Sequence, residues 1–169
     1  MKKIAIIYSF NTIKTGKAVK MISEHFDENE IELINAENLT AEQFLSFDHF
    51  ILGVPTWFDG ELPNYWDEFV PEIDDMDLKA KKFAIFGNGN QKEYSENFVD
   101  GIGIMAKLLE SRGGQIIGFT SATSYTFESS KAFRNDQFVG LALDFENQTA
   151  KNKERIENWV KQIRSEFKK

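Results

Sequence analysis

Six short runs of strand-forming residues recur along this chain, and several of them are apolar at every position rather than at alternate ones. A strand covered on both faces has no polar side, so runs of this kind are typical of parallel sheets buried between helices. Helical patterns separate the runs, which predicts an α/β fold of three layers with helices on both faces of one sheet. The predicted strands are Ile4–Tyr8, Ile31–Ile34, His49–Val54, Phe83–Gly87, Gln115–Phe119 and Phe138–Leu143.

The helical segments are marked by apolar stripes and by end signals. The clearest stripe, at i, i+3, i+4, i+7 and i+11, consists of Ile156, Trp159, Val160, Ile163 and Phe167. A second face combines Phe98, Ile102, Met105 and Leu109. Thr40 with Gln43 predicts a capping box, Pro63 suits the first turn of another helix, and Gly113 predicts a helix end. With no repeat or linker, we expect residues 1–169 to form a single domain.

Composition excludes several classes of function. The 169 residues carry 27 Asp and Glu against 20 Lys and Arg, a net charge of −7, which argues against a nucleic-acid partner. The chain has no cysteine, which excludes disulfides, thiolate metal sites and a cysteine nucleophile. Two histidines alone cannot build a zinc site. No apolar run is long enough for a membrane helix, so we expect a cytoplasmic monomer without membrane insertion.

In parallel sheets, ligands bind at the carboxyl ends of the strands, and three segments lie there. The first, Ser9–Lys17, combines hydroxyls, an amide, a glycine and lysines ahead of a helix, a composition that favours phosphate. Its spacing is neither that of a P-loop nor that of the dinucleotide-binding glycine motif. The alternative is that Thr15 only caps the helix.

The second and third segments carry aromatic residues. Pro55–Gly60 follows the third strand and contains Trp57 and Phe58, and Gly87–Tyr94 follows the fourth with glycines, amides and a tyrosine. Taken singly, one aromatic residue that only packs, or an ordinary loop, explains each segment. Together with an anion site at the same sheet edge, they predict a pocket for a flat, phosphorylated heteroaromatic molecule.

These residues resemble the flavodoxin family, most closely its long-chain cyanobacterial and algal members, over essentially the whole chain. The resemblance implies a five-stranded parallel sheet of order 2-1-3-4-5 and a non-covalently bound FMN. It also implies that a loop at roughly 120–137 interrupts the last strand. The matching segments are Gly53–Trp57, Gly60–Leu62, Tyr94–Gly103, Arg112–Gly114, Ser130–Arg134 and Phe138–Asp144.

The resemblance assigns roles to residues around the flavin. Trp57 and Tyr94 match the two aromatic residues that sandwich the isoalloxazine ring. The peptide between Phe58 and Asp59 matches one that rotates on reduction and stabilises the neutral semiquinone. The remaining ring-side positions, including those at the pyrimidine edge, are Thr56, Gly60, Asn88, Gly89, Asn90 and Asn97.

The phosphate loop departs from the family motif Thr-x-Thr-Gly-x-Thr. With Thr15, Gly16 and Lys17 taken as its core, their backbone amides are expected to hold the phosphate. Ile13 and Ala18 then replace the outer threonines, and the loop is about three residues longer than usual. In this alignment the missing hydroxyl contacts come from Ser9, Asn11 or Thr12. Elsewhere in the site, Asn90 stands where the family commonly has an aspartate.

An acidic segment begins at the predicted flavin edge and contains no Lys or Arg. Its members are Asp59, Glu61, Asp67, Glu68, Glu72, Asp74, Asp75 and Asp77. Such a surface attracts basic partners in a salt-dependent way, and the resemblance implies a ferredoxin–NADP⁺ reductase or photosystem I. The predicted function is that of a low-potential one-electron carrier, not an enzyme.

Three other functions remain as alternatives. One is an FMN-dependent reductase that passes hydride, which needs an open nicotinamide site over the flavin. A second is a phosphoacceptor receiver domain, which needs clustered acids after the first strand, where Ser9 and Phe10 stand instead. The third is a flavin-free binding protein with a degenerate phosphate loop.

Overall fold

The computed structural model describes residues 2–169 and has one central parallel sheet of order β2-β1-β3-β4-β5. This confirms the predicted order and fold class. The strands run in register at their amino ends, where Ile4 lies beside Ile31 on one side and His49 on the other. The strands of the first four positions are β1 (Ile4–Tyr8), β2 (Ile31–Asn35), β3 (His49–Gly53) and β4 (Lys82–Asn88).

The fifth position of the sheet is filled by two short strands instead of one. β5 (Gln115–Ile117) pairs with the first half of β4, and β9 (Leu141–Leu143) pairs with its second half. The intervening segment, which we call the insertion (residues 118–140), forms its own antiparallel sheet of β6 (Thr120–Ser121), β7 (Phe133–Arg134) and β8 (Gln137–Phe138). The predicted strand Phe138–Leu143 is therefore too long, because Phe138 pairs within the insertion.

Helices cover both faces of the sheet. The helices are α1 (Lys14–Ser23), α2 (Ala41–Leu45), α3 (Asn64–Asp67), α4 (Val70–Asp74), α5 (Asp100–Ser111) and α6 (Thr149–Phe167). On one face α1 and α6 pack on Ile6 and Phe86, and on the other α2 to α5 pack on Ile7, Phe50 and Ile85. Because neighbouring residues of each central strand point to opposite cores, the apolar runs have no polar alternation.

Several end signals act as predicted. The Thr40 hydroxyl oxygen accepts a hydrogen bond from the Gln43 N–H at 3.1 Å, which caps α2. Gly113 follows the C-cap residue of α5, Arg112, and its φ of +94°, a left-handed conformation that favours glycine, prevents the helix from continuing. Phe98 precedes α5 instead of lying on it, because Val99 adopts a left-handed conformation and the helix begins at Asp100. Within residues 2–169, no helix is both long and apolar enough to cross a membrane.

Candidate functional site

A cleft of about 460 Å³ opens at the carboxyl edge of the sheet, between the segments that follow β3 and β4. Eight of the predicted site residues line it, and two residues that the sequence did not indicate, Phe98 and Val99, complete its floor. The eight are Thr56, Trp57, Phe58, Asp59, Gly89, Asn90, Tyr94 and Asn97. The two aromatic-bearing loops therefore form one site.

The first wall of the cleft is a tight turn closed by two backbone hydrogen bonds. The Trp57 N–H donates to the Glu61 carbonyl and the Glu61 N–H donates to the Trp57 carbonyl, both at 2.8 Å. Gly60 turns the chain with φ +90°, and a Cβ there would lie 2.6 Å from a carboxylate oxygen of Asp100. Phe58 has φ +50°, which is uncommon for a bulky residue, and its ring is 71% exposed. The turn thus holds the Phe58–Asp59 peptide at the mouth of the cleft.

The second wall is the loop that carries Tyr94, whose ring is 56% exposed. The Tyr94 N–H donates to the Asn90 carbonyl at 2.9 Å, which fixes the loop as a turn. The Asn90 side-chain oxygen accepts hydrogen bonds from the N–H groups of Lys92 and Glu93 and from the Asn147 side chain. These hydrogen bonds fix the backbone from which the exposed tyrosine ring projects at the cleft.

Asp144, which follows β9, anchors this second wall from below. It is fully buried and its two oxygens accept five hydrogen bonds, from the backbone N–H groups of Gln91, Glu146 and Asn147 and from two side-chain amides. Burial alone would raise the pKa of Asp144, but the hydrogen bonds from Asn147 and Gln91 outweigh it and hold the pKa below its usual range. The carboxylate therefore stays ionised and fixes the loop.

The segment after β1 differs from the prediction in where the loop ends and α1 begins. The loop comprises only residues 9–13, because α1 already begins at Lys14, so Thr15, Gly16 and Lys17 lie in the helix and not in the loop. Lys17 N–H donates to the Ile13 carbonyl at 2.9 Å within the helix, which leaves it unavailable to a phosphate. Gly16 lies in the first turn with nothing near a Cβ position.

Thr15 does not cap α1. Ile13 occupies the N-cap position without a side-chain cap, and the Thr15 hydroxyl instead donates to the Asn88 side-chain oxygen at 3.0 Å. This bond joins the start of α1 to the end of β4, so Asn88 supports the first turn of the helix. The first-turn N–H groups of Lys14, Thr15 and Gly16 precede the first intrahelical bond and have no helical acceptor.

The polar side chains of the loop contact an acid that sequence reasoning missed. Ser9 and Asn11 both donate to the Glu37 carboxylate, whereas the Thr12 hydroxyl donates to the Ser9 carbonyl at 2.7 Å. Glu37 lies in the turn Ala36–Asn38, directly after β2. The rule that ligand sites follow strand ends applies to this segment too and would have drawn attention to it.

The acidic segment 59–77 lies beside the Trp57 wall, and all eight of its Asp and Glu residues are exposed. None of them forms an ion pair with any residue in the described range 2–169. The segment therefore carries uncompensated negative charge from Asp59, at the mouth of the cleft, to Asp77, which lies shortly before the amino end of β4.

Comparison with known proteins gives consistent matches. The family model described as flavodoxin matches residues 6–159. A flavodoxin of Nostoc sp. is 39% identical over 166 residues, covering 98% of each chain, and flavodoxin 1 of Escherichia coli K12 is 36% identical over 163 residues, covering 96% of this chain and 93% of the relative. The crystal structure of Fusobacterium nucleatum flavodoxin bound to flavin mononucleotide superposes with a TM-score of 0.93 at 32% identity, covering 99% of both chains. The chain therefore belongs to the flavodoxin family, whose members are electron-transfer flavoproteins and not enzymes.

Proposed function

We propose that this chain binds FMN without a covalent bond and carries one electron at a time between redox proteins. The observation that carries the proposal is the cleft between Trp57 and Tyr94, two partly exposed rings at the carboxyl edge of the sheet. FMN supplies the ability to take up and release single electrons. The rings suit a flat heteroaromatic group, and the free N–H groups at the start of α1 suit a phosphate.

The chain's own residues bind and shield the cofactor in this proposal. Trp57 and Tyr94 stack on the two faces of the ring and exclude water from it. The backbone at Gly89 and Asn90 and the Asn97 side chain are within the lining and offer polar groups to the ring edge. The Phe58–Asp59 peptide is held at the mouth of the cleft by the turn, and its carbonyl oxygen is the group proposed to accept a hydrogen bond from a protonated ring nitrogen of the reduced flavin.

The proposed partners are redox proteins with a basic surface, of the ferredoxin–NADP⁺ reductase or photosystem I kind. The exposed, unpaired acids of segment 59–77, which begin with Asp59 at the mouth of the cleft, support this, because unpaired acids at an exposed edge steer a cationic surface toward it. The association rate is accordingly expected to fall as salt is added.

A stepwise reductive titration of the FMN-loaded protein, followed by visible absorbance, tests the function. A carrier is expected to take up its electrons in two resolved one-electron stages. A single two-electron transition would instead favour the reductase alternative. Failure of the folded protein to bind FMN would favour a flavin-free binding protein.

Replacing Trp57 by alanine is expected to weaken binding of both FMN and riboflavin. Stacking of one aromatic side chain on one heterocycle contributes about 1–3 kcal/mol, so the dissociation constants should rise roughly 5- to 150-fold. Trp57→Phe, which keeps a ring, is the matched control and should lose much less. Equal affinities for the alanine variant and the native protein would remove Trp57 from the site.

Replacing Asp59 by asparagine is expected to raise the potential of the second electron by roughly 20–60 mV. The carboxylate lies at the mouth of the cleft, where it opposes added negative charge on the flavin. Asp74→Asn removes another exposed acid, from the part of the segment farther from the cleft, and should change the potential less. A potential that does not move in the Asp59 variant would exclude this carboxylate as the cause.

A further inference from the structure

Glu37 accepts the hydrogen bonds of the side-chain donors at the start of the loop after β1, the proposed phosphate loop. One of its carboxylate oxygens accepts hydrogen bonds from the buried Ser9 hydroxyl and, at 2.8 Å, from the Asn11 side-chain amide. These two bonds, that from Ser9 first, hold the pKa of Glu37 below its usual range. An ionised acid therefore faces the loop that the proposed function assigns to a phosphate.

The lysines at the start of α1 do not offset this charge. The Lys14 ammonium pairs with the Glu146 carboxylate, and the Lys17 ammonium lies 5.4 Å from the centre of the Phe145 ring. Both cations thus contact the segment after β9. The loop consequently offers an anion only uncharged donors, including backbone N–H groups. The charged side chain that contacts the loop from the β2 side, Glu37, is negative.

A carboxylate and a phosphate compete for the same donors, because both are acceptors only. A bound phosphate that used the Ser9 hydroxyl or the Asn11 amide would have to displace Glu37. Even without contact, two negative groups on one short loop repel each other. In either case the acid lowers the affinity for a phosphorylated flavin and does not change the affinity for the ring.

The neighbouring Tyr65 offers Glu37 a different donor. Its hydroxyl is buried without a hydrogen-bond partner, and its ring packs edge-on against Trp57 at 5.8 Å. Helix α3, which carries Tyr65, packs against the turn Ala36–Asn38 that carries Glu37. Burial, and after it the charge of Glu37, raises the pKa of the Tyr65 phenol, so the hydroxyl keeps its proton. An unpaired buried hydroxyl gains when an acceptor reaches it.

We propose that Glu37 is a specificity-determining residue that weakens the preference of this site for FMN over unphosphorylated riboflavin. Ser9 and Asn11 hold the Glu37 carboxylate, and a phosphate that takes these donors would move it toward the Tyr65 hydroxyl. The inference rests on the proposed function, since it concerns the phosphate group of the same ligand.

The test compares dissociation constants for FMN and riboflavin, measured by flavin fluorescence at pH 7 and low salt. Glu37→Gln keeps a side-chain oxygen for Ser9 and Asn11 but removes the charge. It is expected to strengthen FMN binding about three- to tenfold and to leave riboflavin binding unchanged, with a smaller gain at high salt. Glu32→Gln, an exposed acid on β2, is the matched control and should alter neither constant.

A second variant tests the role of the tyrosine. Tyr65→Phe should weaken FMN binding in the native background and have no effect when combined with Glu37→Gln, because the displaced carboxylate is then absent. If Glu37→Gln leaves the FMN-to-riboflavin ratio unchanged, or weakens FMN binding, Glu37 supports the loop and the inference is wrong. If the native protein binds neither flavin, the proposed function fails and the inference fails with it.

Discussion

Replacing Gly103 by alanine is expected to lower the free energy of unfolding by about 3 kcal/mol. Gly103 lies inside α5, where the backbone of the insertion packs directly on the helix. A Cβ at this position would lie 2.6 Å from the Ala132 nitrogen and closer still to the Lys131 carbonyl. Backbone cannot rotate away as a flexible side chain can, so the helix and the insertion must separate.

Gly16→Ala is the matched control, because Gly16 also lies inside a helix but has nothing within 4 Å of a Cβ position. Alanine there is expected to stabilise the protein by up to about 1 kcal/mol through helix propensity alone. Urea denaturation followed by circular dichroism measures both changes. Equal effects of the two substitutions would show that the close approach at Gly103 does not matter.

Replacing Asp144 by alanine is expected to cost about 3 kcal/mol as well, for a different reason. The substitution removes the acceptor of five hydrogen bonds and leaves backbone N–H groups of Gln91, Glu146 and Asn147 without a partner. Because these groups hold the Tyr94 loop, FMN affinity should fall along with stability. Asp144→Asn keeps the shape but not the charge, and it should show an intermediate loss.

The contribution of Asp144 to stability depends on pH in a defined direction. Its pKa is lower in the folded than in the unfolded protein, so the unfolded state binds the proton more readily. The stabilisation is complete above the unfolded pKa of about 3.9 and is lost as the pH falls through the lower folded value. The difference in unfolding free energy between the native protein and Asp144→Asn should therefore be constant near pH 7 and shrink at low pH. A difference that does not change down to pH 2 would contradict this assignment.

The arrangement of the sheet could be predicted because its strands are apolar on both faces. Runs such as Ile4–Tyr8 are conspicuous, and the alternation of strands and helices leaves few topologies. The division of the fifth sheet position between β5 and β9 was harder to predict from the sequence. Phe138 and Leu141 are similarly apolar, and only the pairing partners decide that the first belongs to the insertion and the second to the sheet.

The residues of the candidate site could be predicted, but the position at which α1 begins could not. The aromatic segments around Trp57 and Tyr94 follow strand ends and meet in one cleft, as the family resemblance implies. The sequence predicts a later start of α1 than the structure shows, because Thr15 and Gly16 are residues typical of loops. A tertiary hydrogen bond from Thr15 to Asn88 accompanies the earlier start, and no local pattern indicates it.

The way the insertion is attached has a consequence for protein engineering. The Thr126 N–H donates to the Gln91 side-chain oxygen at 2.7 Å, and the Tyr125 hydroxyl donates to the Ala142 carbonyl at 2.6 Å. Deleting the insertion and joining the two halves of the fifth strand would therefore leave acceptors without donors both beneath the Tyr94 loop and on β9. A minimised version of this protein would have to supply new donors at those two points before it could be shortened.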